Sequence, residues 1–585
     1  MKLSKPNIIV ILTDDQGYGD LGCHGNPILK TPNIDSLHDE SFCFTDFHVG
    51  PTCAPTRSGL ITGRYANSAG VWHTVGGRSL LRRGLPTIGE IFSRGGWRTG
   101  LFGKWHLGDA YPYRPQDRGF QEVASHGGGG LTQVPDWWGN DYFDDTYMVN
   151  GKPVAFQGYC TDVWFRLALD FISRHRDEPF LCFLTPNAPH SPYNVEPQWS
   201  DPYRGLVPTE DRANFYGMIA NIDWNIGQLR MHLVTLGLTE NTILVFMTDN
   251  GSSCTDPGAH TAGLQGFKNS PYDGGHRVPF FLHIPGTPGR DIPVLTAHVD
   301  FMPTMCQLAG VQDELWKAVS VDGQSLVPLV TNDPEPWPQR IMVTDSQRLP
   351  QPVKWRQSSV MSDRWRLVNG SELYDSQHDR GQEHNIAQNH PQVVVQLRRA
   401  YEKWWDKVSA QYTEEIPMVI GSPDCPVAEL TAHDWRPFDY TPSDDPNQQE
   451  DNGYLVFHQG QVRKGLGTRG YFEVEVCKAG TYRFRLRRWP KECGGSLGGT
   501  NAELSRWRKD IIAEKYHPLY EGASALAITH AHVRFGDQLS TTIADPRSPF
   551  AELILYLSSG TGHLEAWFTG PDFYRGAYYV EIDQI

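Results

Sequence analysis

Apolar, β-branched runs alternate with amphipathic runs along roughly the first 310 residues of the chain. Nearly continuous apolar runs predict strands, which lie at 7–13, 179–184, 242–248 and 278–284. Helical periodicity predicts helices, which lie at 162–175, 209–236 and 390–411. Strands that are apolar on both faces and separated by helices are typical of a parallel sheet between two layers of helices. The sequence therefore predicts an α/β fold, with a mostly parallel central sheet and helices on both faces.

The pattern changes near residue 420. Residues 421–450 are rich in Pro, Asp and Gln, which is typical of a surface linker. Further on, apolar and polar positions alternate with a period of two, as in "YFEVEV", "TYRFRLRRW" and "ELILYL". This alternation predicts an antiparallel, sandwich-like β domain. We therefore expect an α/β domain at 1–420, a linker at 421–450 and a β-rich domain at 451–585.

Composition and charge narrow the classes of function. A chain of 585 residues with 39% hydrophobic and 20% charged residues is long enough for two globular domains. Its formal charge of −15 argues against a nucleic-acid partner, which would need clustered basic residues. Because no apolar run is long enough to span a bilayer, no membrane partner is expected. The 10 cysteines form no CxxC pair, which disfavours a disulfide framework or a zinc ribbon.

The first residues do not resemble a signal peptide. Lys2 and Lys5 precede the apolar run 7–13, but that run is short and ends directly in Asp14 and Asp15. This pattern favours a buried strand over the apolar core of a leader. We expect a cytoplasmic location, or a periplasmic or secreted one if a leader precedes this sequence.

Acidic and amide side chains directly follow two of the predicted strands. Asp14 and Asp15 follow the first strand, and Asp249 and Asn250 follow the strand "TILVFMT". In open α/β sheets, ligands bind beyond the carboxyl ends of the strands. Oxygen ligands without His or Cys clusters favour Ca²⁺ or Mg²⁺ over zinc. Either pair alone is more typical of a turn, but their shared position predicts one cation site formed by both.

The stretch "CAPTRSGLITG" begins with Cys53. Pro55 suits the first turn of a helix, because proline has no amide hydrogen to lose there. Cys53 would then lie at a helix N-terminus, where unpaired amides favour anions, with Arg57 one turn further on. An anionic tetrahedral group could meet Cys53, Arg57 and the cation together. A thiolate nucleophile is a second interpretation, although a soft thiolate suits a hard, oxygen-bound cation poorly.

Further basic residues stand in short, turn-like segments. Lys104 and His106 lie in "GKWHLG", His190 follows the strand 179–184, and Lys268 lies in "GFKNSPYDGGHRVP". Taken singly, a lysine is usually solvated and a histidine is usually structural. Together they supply what cleavage of an anionic ester needs, namely cations for the charged oxygens and histidines for proton transfer.

With these residues the chain resembles the type I sulfatases of the alkaline phosphatase superfamily. The ordered motifs span roughly residues 5–310, and 371–387 resembles the segment before the family's closing helix. The C-x-P-x-R run followed by "LITG" is highly specific, because it resembles the signal for oxidation of this cysteine to Cα-formylglycine. One departure is Asp273, where the family more often has glutamate.

The resemblance implies a site and a mechanism. The calcium ligands would be Asp14, Asp15, Asp249, Asn250 and the modified Cys53. The sulfate site would be lined by Arg57, Lys104, His106, His190 and Lys268. A hydroxyl of the hydrated aldehyde would attack sulfur, His190 and Lys268 would assist the departing alcohol, and His106 would deprotonate the remaining hydroxyl to expel sulfate. The implied partners are a formylglycine-generating maturation enzyme and a sulfated oligo- or polysaccharide, and a homo-oligomer is compatible with the sequence.

Two other functions stay open. The resemblance implies that a phosphonate or phosphate ester hydrolase of the same superfamily would more often have histidine in place of Asn250. A non-catalytic carbohydrate-binding protein on the same scaffold would have no use for the cysteine, the histidines and the lysines together. Trp137 and Trp138 lie in a glycine-rich stretch, where we expect them to be exposed, and they are candidates for stacking on a sugar ring.

Overall fold

The computed structural model describes residues 5–331, 337–438, 440, 454–500 and 507–585. The strands of its first region are β1 (Asn7–Thr13), β2 (Phe42–Phe44), β3 (Phe47–His48), β4 (Arg98–Gly103), β5 (Glu122–Ser125), β6 (Thr146–Val149), β7 (Lys152–Ala155), β8 (Phe180–Thr185), β9 (Thr242–Thr248), β10 (Phe280–His283), β11 (Arg290–Ile292) and β12 (Thr296–Ala297). A 10-stranded sheet has the order β11-β2-β10-β9-β1-β8-β4-β5-β6-β7, and β3 pairs with β12. The central strands β9, β1, β8, β4 and β5 are parallel, which confirms the predicted α/β fold.

Helices cover both faces of this sheet. They are α1 (Pro32–Asp39), α2 (Cys53–Thr62), α3 (Ala66–Ala69), α4 (Ile88–Arg94), α5 (Cys160–Arg174), α6 (Pro197–Ser200), α7 (Glu210–Thr235), α8 (Asp273–His276), α9 (Phe301–Ala309), α10 (Asp313–Trp316) and α11 (Val327–Val330). Ile9 and Ile11 of β1 share a core with α5 and α7, whereas Val10 and Leu12 share one with α2 and α9. Because successive side chains of a strand point to opposite faces, a strand covered on both sides must be apolar throughout.

The strand predicted at 278–284 is β10, and it runs antiparallel to β9. The chain between them stays at the carboxyl edge of the sheet, where Lys268 contacts Asp15. It does not cross back over a face of the sheet, as a parallel connection must. β10 therefore enters the sheet at the edge where β9 leaves it, which keeps the connecting segment beside the ends of β1 and β9.

A second, smaller sheet follows, which the sequence pattern does not predict. Its strands are β13 (Met342–Asp345), β14 (Ser358–Met361), β15 (Trp365–Val368) and β16 (Glu372–Asp375), and they form an antiparallel meander. The predicted helix at 390–411 is α12 (Pro391–Ser409), and its Leu397 and Tyr401 share a core with this sheet. Strands of four residues with polar positions are too short to produce a clear alternation. No helix in the described part of the chain has both the length and the apolar character of a bilayer span.

The C-terminal region consists of two further sheets, which confirms the predicted β-rich architecture. Its elements are β17 (Met418–Ile420), β18 (Val427–Thr431), β19 (Arg436–Pro437), α13 (Gln459–Lys464), β20 (Gly470–Val476), β21 (Gly480–Arg487), β22 (His530–Phe535), β23 (Gln538–Ile543), β24 (Ala551–Leu557), β25 (Gly560–Gly570), β26 (Phe573–Gly576) and β27 (Tyr579–Gln584). One sheet has the order β17-β20-β25-β22-β23, and the other has the order β18-β27-β21-β24. Inward-facing residues of both sheets share one apolar core.

Strand β18 lies inside the segment predicted as a linker, 421–450, and pairs with the last strand, β27. Its five-residue alternation, "VAELT", is too short to stand out beside the preceding Pro426. Residues 439 and 441–453 lie outside the described residues. The domain boundaries at 420 and 450 stay a prediction.

We predict that Trp435→Ala destabilises the C-terminal core. Trp435 is fully buried, and its ring centroid lies 6.3 Å from those of Phe472 and Tyr578. Replacing it with alanine leaves a cavity and is expected to cost about 3–5 kcal/mol of unfolding free energy. Urea unfolding measures this loss. Trp224, which is 45% exposed, is the control: Trp224→Ala should cost less than about 1 kcal/mol. Equal losses in the two variants would contradict the core role of Trp435.

Candidate active site

The ends of β1 and β9 bring the two strand-end pairs together. Thr13 lies opposite Thr248 in a parallel register, so the next residues of both strands emerge side by side. The amide of Asp15 donates to Asp249 Oδ1 (3.1 Å), and Asn250 Nδ2 donates to Asp15 Oδ1 (2.9 Å). All of these side chains are buried. The two pairs therefore lie around one point, as their positions in the sequence predict.

Cys53 is the first residue of α2, a helix that is buried along its whole length. Its Sγ lies 3.7 Å from Asp15 Oδ1. Burial raises the pKa of the Cys53 thiol to about 12, although Lys104 and Lys268 act in the opposite direction. Reactive thiolates lie instead in partly exposed, electropositive surroundings. The environment of Cys53 therefore does not favour the thiolate interpretation.

Arg57 lies one helical turn after Cys53 and is bound on several sides. Its Nε and Nη2 donate to Asp249 Oδ2 (3.0 and 2.8 Å), and its Nη1 donates to the Lys104 carbonyl (2.9 Å). The residue is 2% exposed. Charge-assisted hydrogen bonds of this kind fix the plane of a guanidinium. Arg57 therefore presents a fixed positive charge beside Cys53.

Two lysines from separate segments bind the first acidic pair. Lys104 Nζ donates to Asp14 Oδ2 (2.7 Å), and both side chains are fully buried. Lys268 Nζ donates to Asp15 Oδ2 (2.8 Å) and is 18% exposed. Burial alone would lower the pKa of Lys268, but the Asp15 carboxylate outweighs it and raises that pKa above its usual range. Burial would likewise raise the pKa of Asp15, but the neighbouring cations, Lys268 foremost, hold it well below its usual range.

The two predicted histidines are each held as one tautomer. His106 Nε2 lies 2.8 Å from the Thr74 carbonyl and His190 Nδ1 lies 2.6 Å from the Ser191 carbonyl. A carbonyl only accepts, so these nitrogens carry the protons. Nδ1 of His106 is buried without a partner among the described residues. Nε2 of His190 lies 3.5 Å from Asp15 Oδ2. Burial lowers the pKa of both, for His190 to about 4, so both are neutral near pH 7.

A family model supports the identification that these motifs suggest. The model of the sulfatase family matches residues 6–311, which is more than half of the chain. The chain belongs to the sulfatase family. This result confirms the resemblance inferred from the motifs, including the alkaline phosphatase superfamily to which the sulfatases belong.

Individual sulfatases resemble this chain over just over half of its length. Human N-acetylgalactosamine-6-sulfatase is 29% identical over 354 residues, which cover 55% of this chain and 65% of that protein. Human arylsulfatase A is 32% identical over 355 residues, which cover 56% of this chain and 68% of that protein. Matches to N-acetylgalactosamine-6-sulfatases thus span slightly less than two thirds of those proteins.

Among solved structures, Ps i-CgsB in complex with k-i-k-neocarrahexaose is similar to this sulfatase family member. It has a TM-score of 0.62 and 27% sequence identity. The similarity covers 68% of this chain and 93% of that chain. The two chains therefore share a fold over more than half of this chain and most of that one.

The acidic cluster of this sulfatase family member fits a hard cation. Ligand atoms of Asp14, Asp15, Cys53 and Asp249 lie within 4.8 Å of one another. Asp14 Oδ1 and Asn250 Oδ1 are buried without a hydrogen-bond partner in the described part of the chain. Buried oxygens of this kind are costly unless something binds them. Carboxylate and amide oxygens suit Ca²⁺ or Mg²⁺.

A second buried charged cluster adjoins α8, and the motifs do not predict it. Arg366 Nε donates to Asp273 Oδ1 (3.1 Å), and its Nη2 donates to Asp46 Oδ1 (2.7 Å). Asp46 Oδ1 lies 3.0 Å from His48 Nε2, and His48 Nδ1 lies 2.9 Å from His276 Nδ1. Asp273 therefore belongs to a buried ion-pair network. It is the position at which this chain departs from the family pattern. Its partner Arg366 lies on β15, which carries no motif that would have identified it.

The expected exposure of Trp138 is wrong. Its side chain is 6% exposed and packs edge-to-face on Trp489, with 5.3 Å between the ring centroids. The guanidinium of Arg463 lies over its ring at 4.6 Å. Trp137 is partly exposed. The C-terminal region covers Trp138, which local composition cannot reveal.

We predict that Arg57→Lys destabilises the protein. A lysine has one nitrogen on a flexible stem, so it cannot bind Asp249 and the Lys104 carbonyl together. The loss of charge-assisted hydrogen bonds is expected to cost about 1.5–3 kcal/mol, measured by urea unfolding. Arg98, which is 50% exposed in its pair with Glu178, provides the control. Arg98→Lys should cost at most about 1 kcal/mol, and an unchanged stability for Arg57→Lys would contradict this account.

Proposed function

We propose that this chain hydrolyses sulfate esters with a formylglycine derived from Cys53 and a bound Ca²⁺, and that its substrate is a sulfated oligo- or polysaccharide. The observation that carries the proposal is the meeting of Cys53 with strand-end oxygens and with several cations at one point. The cations are Arg57, Lys104 and Lys268. A sulfate ester has charged oxygens that such cations stabilise during cleavage.

The cation would be held by Asp14, Asp15, Asp249, Asn250 and the modified side chain of residue 53. When bound, it polarises the ester and strengthens the positive charge around the transferred group. We favour Ca²⁺ over Mg²⁺, because Ca²⁺ accepts six to eight oxygens in irregular geometry whereas Mg²⁺ demands a near-octahedral site.

Formylglycine would supply a hydrated aldehyde, one hydroxyl of which is a nucleophile and the other a route to release sulfate. It requires a maturation enzyme that reads the residues from Cys53 to Arg57. The rest of the chemistry falls to side chains already in position. His106 Nδ1, which carries no proton and has no partner among the described residues, is suited to accept the proton when sulfate is released.

The alcohol would leave on the side of His190 and Lys268. Their side chains are 16% and 18% exposed, whereas those of Arg57 and Lys104 are 2% and 0% exposed. Of these four residues, His190 and Lys268 are therefore the more accessible to a large substrate. Both groups contact Asp15, which keeps them oriented toward the departing oxygen.

A sulfated saccharide is the substrate class that the relatives favour. Human N-acetylgalactosamine-6-sulfatase is named for a sulfated amino sugar. The structure of Ps i-CgsB contains k-i-k-neocarrahexaose, an oligosaccharide. We extend this class, without a specific sugar or linkage, to the present chain.

We predict that Cys53→Ala abolishes turnover of 4-nitrophenyl sulfate and leaves the fold intact, because alanine cannot be converted to an aldehyde. In the unaltered protein, mass spectrometry of the peptide that contains residue 53 should show the thiol replaced by an aldehyde. Cys477, an exposed cysteine, is the control, and Cys477→Ala should retain turnover.

Matched 4-nitrophenyl phosphate and phosphonate esters belong in the same assay. Substantial turnover by Cys53→Ala would refute the formylglycine assignment. Faster cleavage of a phosphate or phosphonate ester would favour the alternative function, a phosphate or phosphonate ester hydrolase. If the modified, folded protein cleaves none of these esters or a panel of sulfated sugars, a non-catalytic binding protein is the better explanation.

We predict that Asp249→Asn lowers both calcium content and turnover. Asparagine keeps an oxygen for Arg57 but removes the charge that a divalent cation needs. Elemental analysis after dialysis measures bound metal, and chelation followed by Ca²⁺ or Mg²⁺ identifies the ion that restores turnover. Asp177, whose side chain is 91% exposed, is the control, and Asp177→Asn should change neither value. Unchanged calcium content in Asp249→Asn would contradict the metal assignment.

A further inference from the structure

We propose that Arg78 and His433 form a second anion-binding subsite beside the reacting centre. It would take a sulfate or carboxylate group on the sugar next to the one that loses its sulfate. The inference rests on the proposed function, because it narrows the saccharides that the site would accept. Arg78 lies in the loop between α3 and α4, and His433 comes from the C-terminal region, between β18 and β19.

A tight turn holds these two segments against each other. The amide of Gly76 donates to the His433 carbonyl (2.8 Å), and Arg436 Nη1 donates to the Gly76 carbonyl (2.8 Å). Gly77 has φ +63°, and a Cβ there would lie 2.4 Å from the Asp434 carbonyl oxygen. Only glycine fits this turn without displacing its neighbour. The position of His433 relative to Arg78 is therefore built into the backbone.

His433 offers a buried nitrogen that no described residue binds. The residue is 1% exposed, and its Nδ1 lies 3.0 Å from Asp434 Oδ1, so Nδ1 carries a proton. Its Nε2 is buried and has no hydrogen-bond partner among the described residues. Burial would lower the pKa of His433, but Asp434 and Asp109 raise it above its usual value. A protonated His433 would present Nε2 as a donor without an acceptor.

Arg78 offers a second such donor. It is 6% exposed, its Nε donates to the Pro350 carbonyl (3.3 Å), and its guanidinium lies 4.5 Å from the ring centroid of Trp72. Its Nη1 is buried without a partner in the described ranges. The nearby Arg436 is neutralised by Glu473 through two hydrogen bonds of 2.9 Å. The charge of Arg78 is therefore available to an anion.

The pair lies next to the reacting centre. The His433 ring centroid is 6.3 Å from that of His106. Arg348, which the motifs do not indicate, is partly exposed and interacts electrostatically with Cys53. It also interacts with His73, as do Arg78 and His433. Arg348 therefore links Cys53 and the proposed subsite electrostatically.

Two buried nitrogens have no partner among the described residues, namely Arg78 Nη1, which is permanently charged, and His433 Nε2, which donates when that residue is protonated. Together they favour an anion over a hydroxyl or a water. Charged hydrogen bonds contribute about 1.5–3 kcal/mol, and buried donors are rarely left unsatisfied in native proteins. Neither residue is needed to hold the cation or Cys53. We therefore assign them to substrate selection and not to the chemical step.

The test is calorimetric titration of the folded Cys53→Ala chain, which binds substrate without turnover. The ligands are chondroitin disaccharides with one or two sulfates, their carboxyl-reduced forms, and carrageenan tetrasaccharides with one or two sulfates per disaccharide. Within at least one pair that differs by a single anionic group, the more anionic member should bind about tenfold more tightly. The carboxyl-reduced forms show whether that group is a carboxylate or a sulfate.

Two substitutions of His433 then distinguish the role of its Nε2 from that of its Nδ1. His433→Asn keeps a nitrogen toward Asp434 but has no atom at the Nε2 position, so it should abolish the preference. His433→Gln places a nitrogen near the Nε2 position and should retain part of the preference for the more anionic ligand. Arg78→Gln should reduce that preference. The controls are His563→Asn and Arg534→Gln, whose side chains are 47% and 45% exposed and which should leave the preference unchanged.

The outcomes are distinguishable from failure of the proposed function. If no pair shows a preference for the more anionic member, or if His433→Asn keeps it, the subsite is refuted and water or a hydroxyl occupies these donors. Because binding is measured without turnover, a preference that depends on His433 supports the subsite even if no sulfate ester is cleaved. Conversely, if the protein cleaves 4-nitrophenyl sulfate but no ligand pair shows a binding preference for the more anionic member, only the subsite is refuted and the proposed function stands.

Discussion

Three carboxylates are buried side by side at the ends of two neighbouring strands, and the site depends on the cations that balance them. An unpaired buried charge costs several kcal/mol, so each carboxylate must have a partner. The pairs are Asp14 with Lys104, Asp15 with Lys268 and Asp249 with Arg57. The cations come from the residue after β4, from the segment before β10 and from α2, so charge balance ties three distant parts of the chain to one sheet edge. A divalent cation added to this balanced set would leave it positive, which is the charge that an anionic ester requires.

The sequence indicates these residues because a parallel sheet places the carboxyl ends of adjacent strands together. Asp14, Asp15, Asp249 and Asn250 could be grouped on that rule alone, before any partner was known. The pairing of individual cations with individual carboxylates could not be predicted from the sequence, since it depends on how the connecting segments fold over the sheet edge. The antiparallel direction of β10 is one such case, because it follows from a connection that never crosses the sheet.

Other features could not be predicted from the sequence for a related reason. Strands β13–β16 and β18 are short, so their alternation is weak. In addition, β18 pairs with β27, which is remote in sequence. Trp138 lies in a glycine-rich stretch but is covered by Trp489 from the C-terminal region. Arg78 and His433 carry no motif, and only the contact between their two segments brings them together. Sequence patterns describe local structure well, whereas contacts between regions need the fold.

The burial of α2 also has a consequence for the order of events in the life of the chain. Every residue from Cys53 to Thr62 is inaccessible once the protein has folded. An enzyme that recognises Cys53, Pro55 and Arg57 in an extended peptide would find none of them on the folded surface. If Cys53 is converted as we propose, its conversion must therefore precede folding, and a molecule that folds first would keep its thiol. The fraction of active protein would then be set by competition between two rates during synthesis, and not by any equilibrium of the finished fold.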